Sequence, residues 1–321
     1  MRYTVCIVTT LLYLMKGTYI MKKLLSFVLA CLMLVSCVAC FASCSKTNDD
    51  FVATDATDLI KEDFGIGVKK NSPELLAAVN AVVDQWVADG TMTKYEAYYT
   101  DLAKYAEDTT GTVTKPQAGE LKVTWDFGTA TDTITAYTES GFAPFEFIYE
   151  GAVTGLDIAI MSQVAVNMGK KLVVKDILFD TIPTSVQNDA GLAVAAAGLT
   201  INAERAEQMD FSHVYYSSTL VIVSDKAAPI SSVKDLAGKK VGVQQGTSGD
   251  LIISDAAKDA GYSYKTENDA GEEITVTVKA AGAEIKQYEK YAMALADLKA
   301  GRIDAILMDK LPAQTMLNAG E

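Results

Sequence analysis

After residue 130, segments with the hydrophobic pattern of a strand alternate with segments with the pattern of a helix. Strand-like runs lie at 132–136, 171–175 and 191–196, and between them apolar residues recur at helical spacing over 156–169 and 182–187. Strands that alternate with helices at this spacing predict an α/β lobe with a largely parallel sheet.

A second alternation of the same kind follows the first. It predicts strands at 220–224, 240–243, 284–288 and 305–308, and helices at 251–259 and 291–300. Two α/β lobes in succession predict a cleft between them. Ligands of such sheets bind beyond the carboxyl ends of the strands and at interfaces between domains.

The part of the chain before residue 131 has a different pattern. Ser72 and Pro73 are typical of a helix start, with serine at the N-cap and proline at the first helical position. Apolar residues recur at helical spacing until Asp89-Gly90 ends the helix, and the sequence TKYEAYYTDLAKYAE predicts a second one. Residues 108–120 are polar and contain Gly and Pro, which predicts a linker.

The first 44 residues differ in kind from the rest. They carry four basic residues and no acidic one, and from Met21, a possible start besides Met1, a basic pair precedes an apolar stretch of about 20 residues. A transmembrane helix is the alternative for a stretch of that length. The small residues and cysteines at its end favour a processed signal sequence and export.

Two cysteines follow small residues as in a bacterial lipobox, where the cysteine is acylated and becomes the new N-terminus. Leu34-Val35-Ser36-Cys37 matches the motif better, whereas Cys44 stands where apolar sequence gives way to SKTNDD. We favour Cys44 because processing at Cys37 would leave an apolar VACFASC on the mature protein. More than one acyl chain holds a protein stably at a membrane surface.

The charge balance after this leader is strongly acidic. All 41 acidic residues and 24 of the 28 basic residues lie there, which gives a net charge of −17. The excess disfavours binding to a nucleic-acid backbone and favours solubility. All five cysteines lie in the first 44 residues, so no disulfide is predicted beyond them and packing must hold the fold.

Five motifs in the second half of the chain together resemble the family-3 extracellular solute-binding proteins, the polar-amino-acid receptors of bacterial ABC importers. They are GFAPFEF (141–147), GLDIAI (155–160), AGLTINAERAEQMDFSHVYYSS (197–218), KDLAGKKVGVQQGTSGD (234–250) and ALADLKAGRIDAILMD (294–309). Each is weak alone, but five in the family's order are specific. The resemblance implies an α/β, two-lobed, type II periplasmic-binding-protein-like fold with a ligand cleft between the lobes.

The order of the segments departs from the family's pattern. In the family the chain continues past the position of Asp309, returns to the first lobe and ends with a strand of the form YGIAVKK and a helix. Here the similar sequence FGIGVKK (64–70) and its helical segment precede the five motifs. The order therefore resembles a circular permutation, which domains tolerate because their termini often lie close together at the surface. A broken gene or assembly is the alternative.

This resemblance implies a division of the chain. The segments are a signal peptide and lipobox (1–44), a tether and start of the return segment (45–63), a hinge strand and helices (64–107), a linker (108–130), lobe 1 (131–219), and hinge and lobe 2 (220–321). It also predicts that residues 64–70 pair beside strand 220–224 and that helix 72–89 packs on the first lobe.

The resemblance also assigns residues to the two charged ends of an amino-acid ligand, which must both be paired when buried. Arg205 takes the position of the carboxylate-binding arginine, whose planar guanidinium can make two parallel hydrogen bonds. Asp309 matches the carboxylate that receives the α-ammonium, and Gly198 and Thr200 match a loop that lends a backbone group and a hydroxyl. The alternatives are that Arg205 is a solvated helical residue, that Asp309 is a helix N-cap and that Gly198 is only a turn residue.

Further ligand contacts are implied in both lobes. Thr247 and Ser248 follow a strand and open a helix, so their amides can face a carboxylate, an ordinary N-cap being the alternative. Phe142 matches the aromatic residue that stacks on the ligand side chain, and Phe179 is a candidate for the opposing wall, unless both are plain core. Glu139 stands where relatives place a polar residue that reaches the ligand side chain, unless it is simply exposed.

Several chemistries are disfavoured. His213 is the only histidine and no cysteine follows the leader, so neither a metal site nor a Cys/His nucleophile is predicted, and no cofactor is expected. Walker-type and GxGxxG loops are absent from the sequence, so nucleotide hydrolysis belongs to a partner subunit. An enzyme that dehydrates cyclic amino-acid precursors is one alternative, with Glu139 as its candidate acid, and a ligand-sensing receptor domain is another.

The expected protein is thus a binding protein and not an enzyme. Its expected partners are a free amino acid, ABC permease and ATPase subunits, and the membrane through a lipid anchor on the extracytoplasmic face of the bacterial cell. A monomer is expected. Tyr215 and Tyr216 are predicted to pack at the hinge.

Overall fold

A computed structural model describes residues 46–267 and 271–318. The predicted leader, with Cys37 and Cys44, lies outside these residues. Across the described ranges, no helix is both long enough and apolar enough to span a bilayer.

The element bounds follow the predicted pattern closely. The helices are α1 (Pro73–Ala88), α2 (Thr91–Glu107), α3 (Leu156–Asn167), α4 (Ile182–Asn188), α5 (Ala203–Gln208), α6 (Ser248–Ala256), α7 (Tyr291–Lys299) and α8 (Lys310–Asn318). The strands are β1 (Phe51–Asp55), β2 (Glu62–Phe64), β3 (Gly67–Lys69), β4 (Thr133–Thr138), β5 (Gly141–Phe142), β6 (Glu146–Tyr149), β7 (Ala152–Thr154), β8 (Lys171–Asp176), β9 (Leu192–Ala195), β10 (Met209–Phe211), β11 (Tyr216–Ser218), β12 (Leu220–Asp225), β13 (Lys240–Gln244), β14 (Tyr262–Glu267), β15 (Glu273–Val278), β16 (Glu284–Tyr288) and β17 (Ala305–Asp309).

The first lobe is built on a mixed sheet with the strand order β10-β3-β9-β4-β8. β4 runs parallel to β8 and β9, as the alternating pattern predicts, whereas β3 is antiparallel to both of its neighbours. α3 covers this sheet and α1 packs against α3. The prediction that helix 72–89 packs on the first lobe is therefore confirmed.

The second lobe has a sheet of the same kind, with the order β1-β12-β17-β13-β16. β13 is parallel to β16 and β17, and β12 is antiparallel to β17 and β1. Val241, Ile306 and Leu307 are completely buried in it. Both sheets are mixed rather than largely parallel, because β3 in the first lobe and β12 in the second are antiparallel to both of their neighbours.

The strands β2 and β11 connect the lobes and pair antiparallel with each other. Phe64 at the end of β2 is completely buried, and its ring meets the ring of Phe145 edge-on with 5.3 Å between centroids. This aromatic contact fixes the crossing segment against the first lobe. Tyr216 lies on β11 and packs against the same two rings, so its predicted hinge position is confirmed.

The predicted partner of strand 220–224 is wrong. β12 pairs with β1, with Ala53 opposite Val223, whereas residues 67–69 lie between β9 and β10 in the first-lobe sheet. The return path therefore uses three strands, one in each lobe and one at the crossing. The sequence FVATD is short and polar at its end, so its pattern did not separate it from the predicted tether 45–63.

Aromatic side chains join α1 and α2 to the rest of the core. Trp86 stacks on Tyr95 with 4.4 Å between ring centroids. The segment between α2 and β4 contains neither helix nor strand, as predicted for a linker. Its second half is nevertheless half-buried against the core, and the Tyr95 hydroxyl donates to the Lys122 carbonyl at 2.9 Å.

Besides β1, the strands that were not predicted are β10, β11, the hairpin β14–β15 and the small sheet β5-β6-β7. α6 begins at Ser248, three residues before the predicted start. Thr247 is its N-cap, because the Asp250 amide donates to the Thr247 hydroxyl oxygen at 3.2 Å.

Candidate functional site

The candidate ligand residues meet between the lobes, beside the crossing strands. Arg205 lies in the first turn of α5, where its backbone amide donates to Oδ1 of the N-cap residue Asn202 at 2.8 Å. Its guanidinium donates to the carbonyl oxygens of Thr200 at 2.9 Å and of Gly246 at 3.0 Å. Gly246 belongs to the second lobe, so Arg205 spans the cleft.

Burial defines the electrostatics of Arg205, whose exposed fraction is 6%. Desolvation lowers its pKa to about 10, against the opposing effect of the carboxylates of Glu62, Asp309 and Glu204. It therefore remains a cation at neutral pH. The ring of Phe179 lies 5.6 Å from the guanidinium carbon, in cation–π geometry.

Asp309 supplies a buried carboxyl group from the second lobe, at the carboxyl end of β17. It is 5% exposed, and the Ser218 hydroxyl donates to its Oδ1 at 2.6 Å. Burial and the charge of Glu62 raise its pKa well above the usual range, while Ser218 and Arg205 act in the opposite direction. The structure thus brings the predicted cation and anion into one electrostatic neighbourhood.

Glu62 on β2 is a further acid of this site, and it lies outside the five motifs. Its Oε2 accepts a hydrogen bond from the Ser248 hydroxyl at 2.7 Å, and the Thr200 hydroxyl lies 3.4 Å away. The carboxylate therefore contacts both lobes from the crossing strand. Burial raises its pKa, against the opposing effects of Ser248, Arg205 and Thr200.

The loop of Gly198 is held from behind by a buried acid. The Gly198 amide donates to Oδ2 of Asp157 at 2.9 Å, and the Tyr215 hydroxyl donates to the same oxygen at 2.9 Å. Burial raises the pKa of Asp157 to about 7 against both hydrogen bonds. Phe142 lies beside Gly198 and stacks on Tyr291 of the second lobe, with 6.4 Å between centroids.

Glu139 is not an exposed residue, because only 2% of it is accessible. Lys290 forms an ion pair with its Oε1 at 2.6 Å, and the Gln244 amide donates to its Oε2 at 2.9 Å. Both partners come from the second lobe. Glu139 is therefore a buried acceptor at the wall that faces that lobe.

The structure separates the roles of Thr247 and Ser248. Thr247 is an ordinary N-cap, since its hydroxyl oxygen accepts from the Asp250 amide, and the same hydroxyl donates to the Gln244 carbonyl at 2.8 Å. Ser248 instead points to Glu62. Phe179 is half-buried and its ring lies against the Arg205 guanidinium, whereas the ring that stacks on Phe142 from the second lobe is that of Tyr291. The role of Phe179 as the opposing wall of the ligand stays a prediction.

Five residues of the site were missed, and only some had a signal. Gln244 belongs to the QQG run of the fourth motif, so its position at the end of a strand was available. Glu62, Lys290 and Tyr291 lie outside the five motifs. Asp157 lies within GLDIAI, but its neighbours there are apolar and do not indicate a site. His213, by contrast, is largely exposed and its Nδ1 lies 2.7 Å from Asp84 of α1.

Comparisons with known proteins agree with the motifs. The sequence model of the bacterial extracellular solute-binding proteins, family 3, matches residues 134–306, more than half of the chain. The arginine-binding extracellular protein ArtP of Bacillus subtilis is 34% identical over 133 residues, 41% of this chain and 50% of that protein. The L-cystine-binding protein TcyJ of Escherichia coli is 28% identical over 184 residues, 56% and 60% of the two chains.

A solved structure is also similar. An ancestral arginine-binding protein bound to arginine shares 33% identity and a TM-score of 0.49, over 58% of this chain and 73% of that one. The present chain spans about half to two thirds of the length of the curated relatives it matches.

Proposed function

Because the chain belongs to the bacterial extracellular solute-binding proteins of family 3, we propose that it captures a free amino acid between its lobes and delivers it to an ABC importer. One observation carries the proposal: Arg205 and Asp309, from different lobes, are buried in the same site. Each would be costly to bury without a partner. The two ends of an α-amino acid supply the complementary charges.

The carboxylate end of the ligand is assigned to Arg205. Thr200 and Ser248 line the same place from the two lobes, and the N-terminus of α6 adds amide donors and its dipole. Asp309 receives the α-ammonium. Gly198 contributes the backbone of its loop.

The side-chain end is assigned to Phe142 and Glu139. Phe142 offers a ring face for stacking, and Glu139 offers a buried carboxylate that is now paired with Lys290. A ligand guanidinium or ammonium could take the place of the Lys290 ammonium. Relatives named for arginine binding support a basic amino acid, with arginine first.

Binding without turnover is the proposed activity. The enzyme alternative needs Glu139 as a general acid at the reacting end of the ligand, whereas the assignment above places Glu139 at the side-chain end, where Lys290 and Gln244 pair with it. The relatives described above are named as arginine- and cystine-binding proteins, which also supports binding over catalysis.

Export and anchoring complete the proposal. The basic and apolar leader supports secretion, and acylation at Cys44, or alternatively at Cys37, would hold a monomer on the extracytoplasmic face. There it would meet the permease and ATPase subunits of the importer.

A circular permutation is the proposed architecture. Residues 46–107 supply β1 to the second-lobe sheet, β3 to the first-lobe sheet and β2 to the crossing. A remnant of another gene is not expected to supply a strand to both sheets. The buried ring of Phe64, against Phe145 of the first lobe, supports the same conclusion.

A thermal-unfolding screen of ligand-free, refolded protein against the proteinogenic amino acids tests the function. A ligand at about 100 times its Kd adds roughly 2.7 kcal/mol of stability, and arginine should give the largest shift. Glu139→Gln should reduce the shift with arginine more than the shift with a neutral amino acid. The proposal fails if no amino acid stabilises the wild-type protein.

A further inference from the structure

The charged end of the site holds one acid more than a zwitterion requires. Arg205 and Asp309 match the ligand's α-carboxylate and α-ammonium, and Glu62 adds a third buried group with 9% of its surface exposed. The Glu62 carboxylate already accepts a hydrogen bond from the Ser248 hydroxyl at 2.7 Å and lies 3.4 Å from the Thr200 hydroxyl. These hydroxyls are the ones assigned to the ligand's carboxylate, so two carboxylates would share one set of donors.

Two carboxylates at such close quarters do not both remain ionised. We propose that Glu62 is the proton site of ligand capture, so that the complex forms with Glu62 as a neutral carboxylic acid and Asp309 as a carboxylate. Burial raises the pKa of both acids, and the bound ligand distinguishes them, because its α-ammonium stabilises a charge on Asp309 whereas its α-carboxylate opposes a charge on Glu62. The neutral acid then donates a hydrogen bond to the ligand's α-carboxylate instead of repelling it. The proton comes from solvent, and no covalent bond other than O–H forms. This inference rests on the proposed capture of an amino acid.

The surroundings of Glu62 suit a protonation site. In β pairing it lies opposite Ser218, whose hydroxyl donates to Asp309, so the two acids share one end of the site. Arg205 faces them from the first lobe, and its charge lowers the pKa of both acids. The phenols of Tyr262 on β14 and Tyr291 on α7 face Glu62 from the second lobe.

A route to solvent lies on the hinge side. A cavity of ≈ 570 Å³ reaches Glu62, Thr200 and Ser248, and it is also lined by the charged residues Lys61, Asp63, Glu204 and Asp255. Lys61 and Asp63 are exposed. A proton can therefore reach Glu62 from this side while the ligand occupies the cleft.

The sign of the effect follows from this assignment. Below the pKa of the Glu62–Asp309 pair the proton is already present, and Kd does not depend on pH. Above it, each bound ligand takes up one proton, and Kd rises by up to about tenfold per pH unit. Glu62→Gln is a neutral isostere that can keep the Ser248 hydrogen bond, so its Kd should be independent of pH and lower than the wild-type Kd at the alkaline end.

Isothermal titration calorimetry of the purified protein with L-arginine, L-lysine and L-glutamine, whose side chains do not titrate in this range, tests the inference from about pH 5 to about pH 8.5. Buffers with different ionisation enthalpies give the number of protons taken up, and this measurement needs no variant. The expected result is uptake approaching one proton in wild type and none in Glu62→Gln. Glu204→Gln removes an exposed carboxylate close to Arg205 and should keep the wild-type dependence on pH.

Three results would overturn the assignment: a wild-type Kd that is flat with no proton uptake, a pH slope retained in Glu62→Gln, or a slope lost in Glu204→Gln. If none of the amino acids binds at any pH, the proposed capture fails instead. The two failures are therefore distinguishable.

Discussion

Gly198 lies so close to the ring of Phe142 that a methyl group on Gly198 would be 2.5 Å from Cε1 of that ring. Gly198 also has a φ of 54°, a conformation that residues with a side chain rarely adopt. The contact ties the loop that carries Thr200 to the ring assigned to ligand stacking. The close approach therefore leaves no room for a side chain at Gly198.

Gly198→Ala should weaken ligand binding and lower the free energy of unfolding by about 1–3 kcal/mol, because overpacking adds to backbone strain. Gly128→Ala is the matched control, since Gly128 has a φ of 57° and no described atom lies within 4 Å of the added methyl. It should lose about 1 kcal/mol of stability and no affinity. Denaturant unfolding and binding titrations measure both, and equal effects would mean that the ring contact imposes no constraint.

Arg205→Ala and Asp309→Ala should each weaken binding by roughly 2–5 kcal/mol, because each leaves one ligand charge buried without a partner. Arg205→Lys should also bind poorly, since an ammonium cannot make two parallel hydrogen bonds. Calorimetric titration gives the Kd of each variant. Arg302→Lys, which changes an arginine that pairs with Asp297 at the surface, should bind as wild type. A wild-type Kd in either alanine variant would remove that residue from the site.

The buried carboxyl of Asp157 makes stability fall as the pH rises. Its pKa is raised to about 7 by burial, against about 3.9 in the unfolded chain. The folded protein holds the proton more tightly, so the contribution is complete below about pH 4 and is lost progressively towards pH 7. Asp157→Asn should remove this part of the loss, because one amide oxygen can accept the hydrogen bonds of Gly198 and Tyr215 and does not titrate.

Denaturant unfolding at about pH 4.5, 6 and 7.5 checks the Asp157 prediction by comparing the pH slope of each variant. Glu120→Gln replaces an exposed acid of the linker and should retain the wild-type slope. An unchanged slope in Asp157→Asn would show that its protonation is not linked to folding.

Limited digestion with a glutamate-specific endoprotease tests the permuted architecture. Glu120 is exposed in the linker, so the first cut should follow Glu120. The two fragments should then remain together in gel filtration, because β1 and β3 are parts of the two sheets. Glu120→Gln should slow this cut. Rapid loss of residues 46–107, with 131–318 intact and still binding, would show that the segment is a remnant.

Several features of this protein are encoded locally. Helical spacing and the Ser72-Pro73 start predicted α1 to within a residue, and the Asp89-Gly90 stop separated it from α2. The strand pattern placed Asp309 at the end of β17. These predictions succeed because a period or a cap depends on residues within one or two turns of each other.

Tertiary structure alone decided the contacts across the chain. Ser248 and Glu62 are 186 residues apart, and Glu139 meets Lys290 from the opposite lobe. No local pattern encodes such pairs, because they depend on the path of the return segment between the lobes. The two α/β lobes and the candidate residues Arg205 and Asp309 could be predicted from local pattern and motif, whereas the position of β1 and the burial of Glu62 depend on how the sheets are completed.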